Sequence, residues 1–157
     1  METNIGITDD NRKSVSVELG KILADEYVLI TKTRNAHWNT EGIHFYEKHK
    51  FFESQYEQIN EIIDKVAERI RMIGHYAIAS LKSFLAQTHL SETDFDNNES
   101  MTYIKELLVD HEIIIFNCRK MIHQFADDYH DTGSSDFITG IMQEHEQMAW
   151  FLRAHIK

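Results

Sequence analysis

The sequence predicts an all-α protein, a bundle of four long helices with one long connection in the middle. The chain of 157 residues contains no proline and only six glycines. Inside a helix, proline costs about 3 kcal/mol and glycine about 1 kcal/mol, so both residues interrupt helices. The apolar residues recur in alternating steps of three and four, which is the period of an amphipathic helix.

A short turn joins the first two predicted helices. The first apolar row covers residues 11–37 and is followed by a polar segment whose Gly42 suits a turn. The second row runs over residues 45–73 and spans about eight turns of helix. We therefore predict two long neighbouring helices at the start of the chain.

The second half of the chain begins with the long connection. Within it, residues 77–87 predict a short extra helix and residues 91–98 a polar loop. The third and fourth long helices are predicted over residues 99–126 and 135–155. Four long helices with one long connection between the second and the third describe a ferritin-like four-helix bundle better than a simple up-and-down bundle.

Composition and charge exclude several classes of protein. We predict one domain over residues 1–157 with a short acidic N-terminal segment, 1–10. The formal net charge is −10, and an acidic surface repels polyanions and attracts cations. The longest apolar run, residues 148–152, is far below the roughly 20 residues of a membrane span. With a single cysteine, Cys118, and no leader pattern in the first ten residues, the sequence predicts a soluble cytoplasmic protein without internal disulfides.

A polar stripe on the second helix contains candidate metal ligands. Its members recur at helical spacing: Glu53, Glu57, Asn60, Asp64 and Glu68. A solvated helix face explains most stripes of this kind. Asp64 and Glu68, however, lie one turn apart beside the apolar row, and two carboxylates at this spacing can bind one cation together.

Two histidines add a geometric constraint. His37 closes the first helix and His49 lies near the start of the second; a histidine in such a place is more often a buried or boundary residue than a ligand. His49 and Asp64 are fifteen residues apart, which is about 22 Å along one helix. No single metal centre spans that distance, so a site that uses both takes them from different chains. A two-fold axis between antiparallel helices would bring His37 and His49 of one chain to Asp64 and Glu68 of the other, twice.

These residues form a recognisable motif. It reads His37-Trp38-Asn39-x-x-Gly42, then His49, then Asp64-x-x-Ala67-Glu68-Arg69. This motif, together with a helix order that matches over almost the whole chain, resembles the Dps family, the DNA-binding proteins from starved cells, also called mini-ferritins.

The resemblance implies a hollow homo-oligomer of twelve chains that stores iron and protects against oxidative damage. It implies that ferrous iron is oxidised at sites across each two-fold interface, usually with hydrogen peroxide, and that the ferric mineral is kept inside. Carried over by position, His37 and His49 from one chain and Asp64 and Glu68 from its partner are the implied iron ligands and catalytic residues. Glu53 falls where the family often has an acidic ligand or a neighbour of one.

The residue types suit this chemistry. Carboxylate oxygens bind iron in both oxidation states, and imidazole nitrogen binds the ferrous form. Ordinary ferritin sites instead use a Glu-x-x-His pair within one bundle. The only such pair in this sequence is Glu41 with His44, which includes Gly42 in a turn. This argues against an iron centre inside one chain.

Acidic residues collect between the third and fourth helices: Asp127, Asp128, Asp131 and Asp136. Two readings stay open. One is helix capping, with Ser134, Ser135 or Asp136 as the cap of the last helix. The other follows from the resemblance: some of these carboxylates line a pore at a three-fold axis, where rings of negative charge attract ferrous ions.

The sequence argues against DNA binding, in spite of the family name. Phosphate contacts need exposed Lys and Arg, usually on a mobile tail, yet residues 1–10 contain neither. Twelve chains at −10 each would carry a formal charge of −120. Two alternatives remain: a DNA-coating, nucleoid-associated protein with secondary iron binding, and a structural helical oligomer that binds zinc without turnover.

The remaining candidates have structural explanations. His111 and His145 fall on apolar rows, so we expect them to be buried and hydrogen-bonded. Cys118 is expected to be an inert small hydrophobic residue. Trp150 and Phe151 are predicted to anchor the packing of the last helix.

Overall fold

The computed structural model describes residues 3–92, 94–95 and 97–156. The described chain is helical almost throughout, in the following order: α1 (Asp9–Asn39), α2 (Phe45–Met72), the short α3 (Leu81–Gln87), α4 (Ser100–His123) and α5 (Thr132–Ala154). The short helix lies on the connection between α2 and α4, so the predicted all-α arrangement is confirmed.

The helix boundaries differ from the prediction in the second half of the chain. α3 begins at Leu81, four residues later than predicted, because Ser80 caps it: its hydroxyl accepts the Ser83 N–H at 3.2 Å. α4 ends at His123 and continues as a π-helical turn over Gln124–Asp128. The sequence pattern could not predict this turn, because it adds one residue to the hydrogen-bonded ring without changing which side chains are apolar.

Two helix pairs enclose the core. α1 packs along α2, α4 packs along α5, and α1 also contacts α3 and α4. The largest fully buried side chains include Phe52 of α2, Tyr103 of α4 and Phe125 of the π-helical turn. Gly42, with φ of 109°, turns the chain between α1 and α2. The adjoining Glu41 N–H donates to the Asn98 carbonyl at 3.2 Å, which ties this turn to the start of α4.

The predictions for Cys118, Trp150 and Phe151 have mixed outcomes. Cys118 is buried as predicted, and burial raises the pKa of its thiol, which keeps it protonated and unreactive. The prediction for Trp150 and Phe151 is wrong: Trp150 is 60% exposed and contacts the ring of Phe151, which is itself exposed, rather than filling the core. None of the helices in the described ranges is long and apolar enough to cross a membrane.

Candidate metal centre

Two histidine side chains meet where α1 ends and α2 begins. His37 Nδ1 lies 2.8 Å from the His49 carbonyl oxygen, and His49 Nδ1 lies 2.8 Å from the His37 carbonyl oxygen. The two imidazole rings stack with their centroids 3.8 Å apart. Because a carbonyl can only accept, each Nδ1 carries the proton and donates it. In the neutral form of each imidazole, Nε2 is then left with a free lone pair, which is the form that binds a metal.

A free backbone carbonyl at the C-terminal end of α1 helps to hold the histidine pair in place. The last carbonyls of a helix have no partner within it, and that of His37 is satisfied by the His49 ring. Tyr56 packs edge-on against His37 with ring centroids 5.2 Å apart, and Phe45 contacts His49 at 5.2 Å. Both rings are thus fixed in orientation by hydrogen bonds and by aromatic neighbours.

Glu53 lies one turn beyond His49 on the same helix. Its carboxylate pairs with Lys50 at 2.5 Å. The hydrogen bond to Lys50 lowers the pKa of Glu53, and the charges of Lys50, His37 and His49 lower it further. Glu53 is therefore a carboxylate at neutral pH, within electrostatic reach of both histidines.

Asp64 and Glu68 lie on the exposed surface of α2, far from these histidines. Asp64 borders a shallow depression between α1 and α2, together with Tyr27 and Asn60. About 22 Å of helix separates Asp64 from His49, so one chain does not bring the four predicted ligands together. Within the described ranges, no group of three or more His, Cys, Asp or Glu side chains is placed to hold a metal ion.

An apolar surface adjoins the depression that contains Asp64. α3 packs on α1 through the stacked rings of Phe84 and Tyr27, whose centroids are 4.0 Å apart. The outer side of α3 exposes Leu81 by 74% and Leu85 by 51%. Since Tyr27 borders both features, the carboxylate of Asp64 and the apolar side of α3 lie on one face of the bundle.

The acidic residues before α5 have different environments. Asp131 is buried and caps α5, accepting from the Ser134 N–H at 2.8 Å and the Ser134 hydroxyl at 2.5 Å. The prediction that Ser134, Ser135 or Asp136 is the cap is therefore wrong, and the helix begins at Thr132 instead. The side chains of Asp127, Asp128 and Asp136 are exposed, so these three remain predicted pore residues.

The arginine of the motif has a structural partner. Arg69 of α2 reaches across to the start of α5, where its Nε donates to the Ser134 hydroxyl at 3.0 Å and its guanidinium pairs with Asp131 at 3.3 Å. This contact connects the helix that bears Asp64 and Glu68 to the capped start of α5. Arg69 thus supports the bundle rather than facing the exposed carboxylates.

Two buried acidic residues of α1 were not predicted from the sequence. Asp25 and Glu26 are fully buried. Asp25 binds His89, and Glu26 binds His145, which in turn contacts His111. The burial and hydrogen bonding predicted for His111 and His145 are confirmed. The available signal was a pair of acids inside the apolar run from 22 to 30, which requires buried partners.

Comparisons with known proteins agree with this architecture. The ferritin-like domain model matches residues 17–157. The chain is 40% identical over 154 residues to an uncharacterized low temperature-induced protein of Nostoc sp.. The alignment covers 98% of this chain and 86% of that protein. It is 34% identical over 145 residues to DNA protection during starvation protein 2 of Bacillus anthracis, with 92% and 97% covered.

Solved structures give the same result for the fold. The DPS protein of Vibrio cholerae O1, described as a member of a broad superfamily of ferritin-like diiron-carboxylate proteins, superimposes with a TM-score of 0.91. The sequence identity is 27%, and the match covers 100% of this chain and 98% of that one. The predicted ferritin-like fold is therefore confirmed, and the chain belongs to the Dps family of ferritin-like proteins.

Proposed function

We propose that this protein oxidises ferrous iron with hydrogen peroxide at sites shared between two chains, and stores the ferric product inside a shell of twelve copies. Each site would use His37 and His49 of one chain with Asp64 and Glu68 of its two-fold partner. Glu53, next to the histidines, would be a further ligand or would orient one.

The observation that supports the proposal most strongly is the histidine pair. Two Nε2 lone pairs, fixed by the hydrogen bonds of the opposite ring nitrogens, would supply two oriented ligands to a metal ion. Two histidines alone bind iron weakly, and the described part of one chain does not complete the set. The missing ligands must then come from another copy or from solvent.

The face that contains Asp64 suits contact with a second copy. Exposed leucines on α3 continue the surface on which Asp64 lies, and contiguous exposed apolar groups of this kind mark interaction sites. In an antiparallel dimer about a two-fold axis, any contact between the two ends of α2 occurs twice. Asp64 and Glu68 of each chain would then approach the histidines of the other.

The proposed reaction balances as 2 Fe²⁺ + H₂O₂ + 2 H⁺ → 2 Fe³⁺ + 2 H₂O. The two imidazoles and two carboxylates leave coordination positions open for peroxide, which a complete cage of protein ligands would not. Taking both electrons from two ferrous ions avoids release of a hydroxyl radical. The carboxylates favour the ferric product, because hard oxygen ligands stabilise the higher charge.

The surrounding charge is consistent with handling a cation. Asp127, Asp128 and Asp136 would attract ferrous ions at pores through the shell. The net charge of −10 per chain makes direct DNA binding unfavourable, and we propose that protection acts through removal of iron and peroxide. The place of action would be the cytoplasm, where a lone buried thiol stays reduced.

Complementation between two inactive variants tests the shared site. One variant carries His37→Ala and His49→Ala, and the other carries Asp64→Ala and Glu68→Ala. When the two are co-expressed in equal amounts, half of the two-fold dimers are mixed, and each mixed dimer has one intact site. About one quarter of the wild-type rate of peroxide-dependent iron oxidation should return.

Each variant alone should be inactive, and a mixture of separately assembled shells should stay inactive because chains do not exchange within the assay. A site within one chain predicts no recovery in any mixture. Wild-type rates for either double variant alone would refute the ligand assignment.

A further inference from the structure

Three titratable side chains from three helices form a hydrogen-bonded chain in the bundle interior. Glu26 of α1 and His145 of α5 are 0% exposed, and His111 of α4 is 1% exposed. His145 Nε2 lies 2.8 Å from Glu26 Oε1, and the Nδ1 atoms of His145 and His111 lie 2.9 Å apart. These groups have no part in the proposed iron site.

The geometry limits the number of protons in this triad of Glu26, His145 and His111. A hydrogen bond between two ring nitrogens needs one proton, because two N–H groups would collide and two lone pairs would repel. The Nε2 to Oε1 contact likewise holds one proton. The ring nitrogens and carboxylate thus share two protons in two bonds, and only Nε2 of His111 remains to be assigned.

Whether Nε2 of His111 carries a proton decides the net charge of the triad. With a proton on Nε2 of His111, the triad is neutral as a whole: Glu26 is a carboxylic acid that donates to His145, which donates to His111. Without that proton, the triad carries one negative charge. Full burial favours the neutral form, because an isolated charge in a protein interior is strongly penalised.

The groups nearest to Glu26 favour the same form. Burial raises the pKa of Glu26 in spite of His145, and the negative charges of Asp25 and Glu144 raise it further. Burial lowers the pKa of His111 well below its ordinary value, and His145 lowers it further. Oε2 of Glu26 lacks a hydrogen-bond partner, as expected for the carbonyl-like oxygen of a protonated acid better than for a carboxylate.

Charged groups around the triad are otherwise paired. Asp25 accepts from the Thr88 hydroxyl, the His89 N–H and the His89 ring. Glu144 pairs with Lys65 at 3.1 Å. Asp110, adjacent to His111, forms a buried ion pair with Lys32 at 2.5 Å.

Among the described residues, α2 and α3 bury no charged side chain. Cys118 of α4 stays a neutral thiol because burial raises its pKa. The buried residues of α2 do not titrate: Phe52, Gln55, Ile59, Ile62, Val66 and Ile70. The buried residue of α3 is Phe84.

We propose that Glu26, His145 and His111 are a proton trap, which holds one extra proton on the Glu26 carboxyl group in the folded bundle and narrows the pH range in which the protein is stable. Here "extra" means relative to two neutral imidazoles and an ionised carboxylate. The trap is a property of the chain itself and does not depend on iron.

The sign of the pH dependence follows from proton counting. In the unfolded chain, histidine titrates near pH 6.5 and glutamate at about 4.3, so the three groups together hold about one extra proton at pH 6.5. Below that pH the unfolded chain takes up a second proton and the folded chain does not, so stability falls with acid. Above it the unfolded chain releases its proton while Glu26 retains one, so stability falls with base. The contribution of the triad is therefore largest near pH 6.5.

The variant Glu26→Gln separates the acid limb of the pH profile of stability, below pH 6.5, from the alkaline limb above it. An amide N–H can donate to His145 as the protonated acid does, but the variant holds no extra proton. Above pH 6.5, the loss of stability caused by the triad should disappear. Below pH 6.5, proton uptake on unfolding should rise from about one proton to about two.

The measurement is the pH dependence of the urea unfolding midpoint and m-value of the full chain between pH 5.5 and 8.5, at one fixed protein concentration. Glu106→Gln on the exposed side of α4 is the matched control and should reproduce the wild-type profile. Equal alkaline limbs for wild type and Glu26→Gln would overturn the proposal.

Infrared spectroscopy gives a second, direct readout that does not require the variant to be stable. At pH 7.5, where exposed carboxyl groups are ionised, the wild type should show the carbonyl stretch of a protonated carboxylic acid. Its persistence in Asp110→Asn would assign it to a group other than the buried Asp110, in agreement with Glu26. Absence of any such band in the wild type would overturn the trap.

Discussion

His37 and His49 each donate a ring N–H to the other's backbone carbonyl, at 2.8 Å in both directions. The arrangement connects the last turn of α1 to the first turn of α2, on either side of the turn at Gly42. Because each ring is oriented by the backbone of the other residue, neither can rotate without breaking its own hydrogen bond. The same bonds that close this helix corner therefore fix both Nε2 atoms as acceptors, so local folding prepares the candidate metal ligands.

Substitutions at His49 separate the structural bond from the ligand atom. Asn places an amide N–H near the position of Nδ1, whereas Gln places its amide near Nε2. We expect His49→Asn to retain the bond to the His37 carbonyl and to be more stable than His49→Gln by about 1 kcal/mol. Both variants should slow peroxide-dependent iron oxidation by about tenfold or more. Urea unfolding and ferric absorbance measure the two effects, and wild-type oxidation by His49→Asn would refute the role of Nε2.

The ion pair between Lys50 and Glu53 competes with metal binding. A ferrous ion that uses Glu53 must displace the ammonium group 2.5 Å away. We expect Lys50→Gln to bind ferrous iron several-fold more tightly, and Glu53→Gln to bind it about tenfold more weakly. Anaerobic calorimetric titration measures both affinities. Lys105→Gln, at an exposed position of α4, is the control for the loss of one positive charge. Equal affinities for Glu53→Gln and the wild type would show that Glu53 is not a ligand.

The sequence was sufficient to predict the four long helices, because the spacing of their apolar residues is set by burial along the whole bundle. The sequence also pointed to His37 and His49 as candidate ligands, and their rings meet in the structure because both lie close to the turn at Gly42. It could not show that each ring binds the other's carbonyl, since that depends on the angle between α1 and α2. The separation of His49 from Asp64 was predictable, because a helix has a fixed rise per residue.

Polar groups in the interior were harder to predict. Asp25 and Glu26 fall inside an apolar row, and the partners of Glu26 lie more than 80 residues away in sequence, on α4 and α5. A helix pattern contains no information on which distant histidine faces which acid. The cap of α5 was missed for a similar reason: Asp131 is selected by its additional contact with Arg69 of α2, which lies outside the local sequence.

Leu81 and Leu85 are predicted to hold the two-fold interface. A charge on this exposed side of α3 should prevent burial against a second copy, because an unpaired charge at an apolar contact is strongly unfavourable. We expect Leu81→Glu with Leu85→Glu to yield species far smaller than the 222 kDa of twelve 18.5 kDa chains, with helical content unchanged and iron oxidation lost. Light scattering after size exclusion measures the mass. Val109→Glu, an exposed apolar position on α4, is the matched control and should leave assembly intact.

Asp131 and Asp128 test the two roles left open for the acidic segment before α5. Asp131 caps α5 and pairs with Arg69, so Asp131→Ala should destabilise the protein by about 1 to 2 kcal/mol in urea unfolding. Asp128 is exposed, so Asp128→Asn should leave the unfolding midpoint unchanged. If Asp128 lines a pore, its loss should slow iron uptake at low ionic strength and reduce the salt dependence of that rate, since screening acts only on charges that attract the ion. Stopped-flow oxidation at two salt concentrations measures this, and an uptake rate equal to that of the wild type at both would exclude Asp128 from the pore.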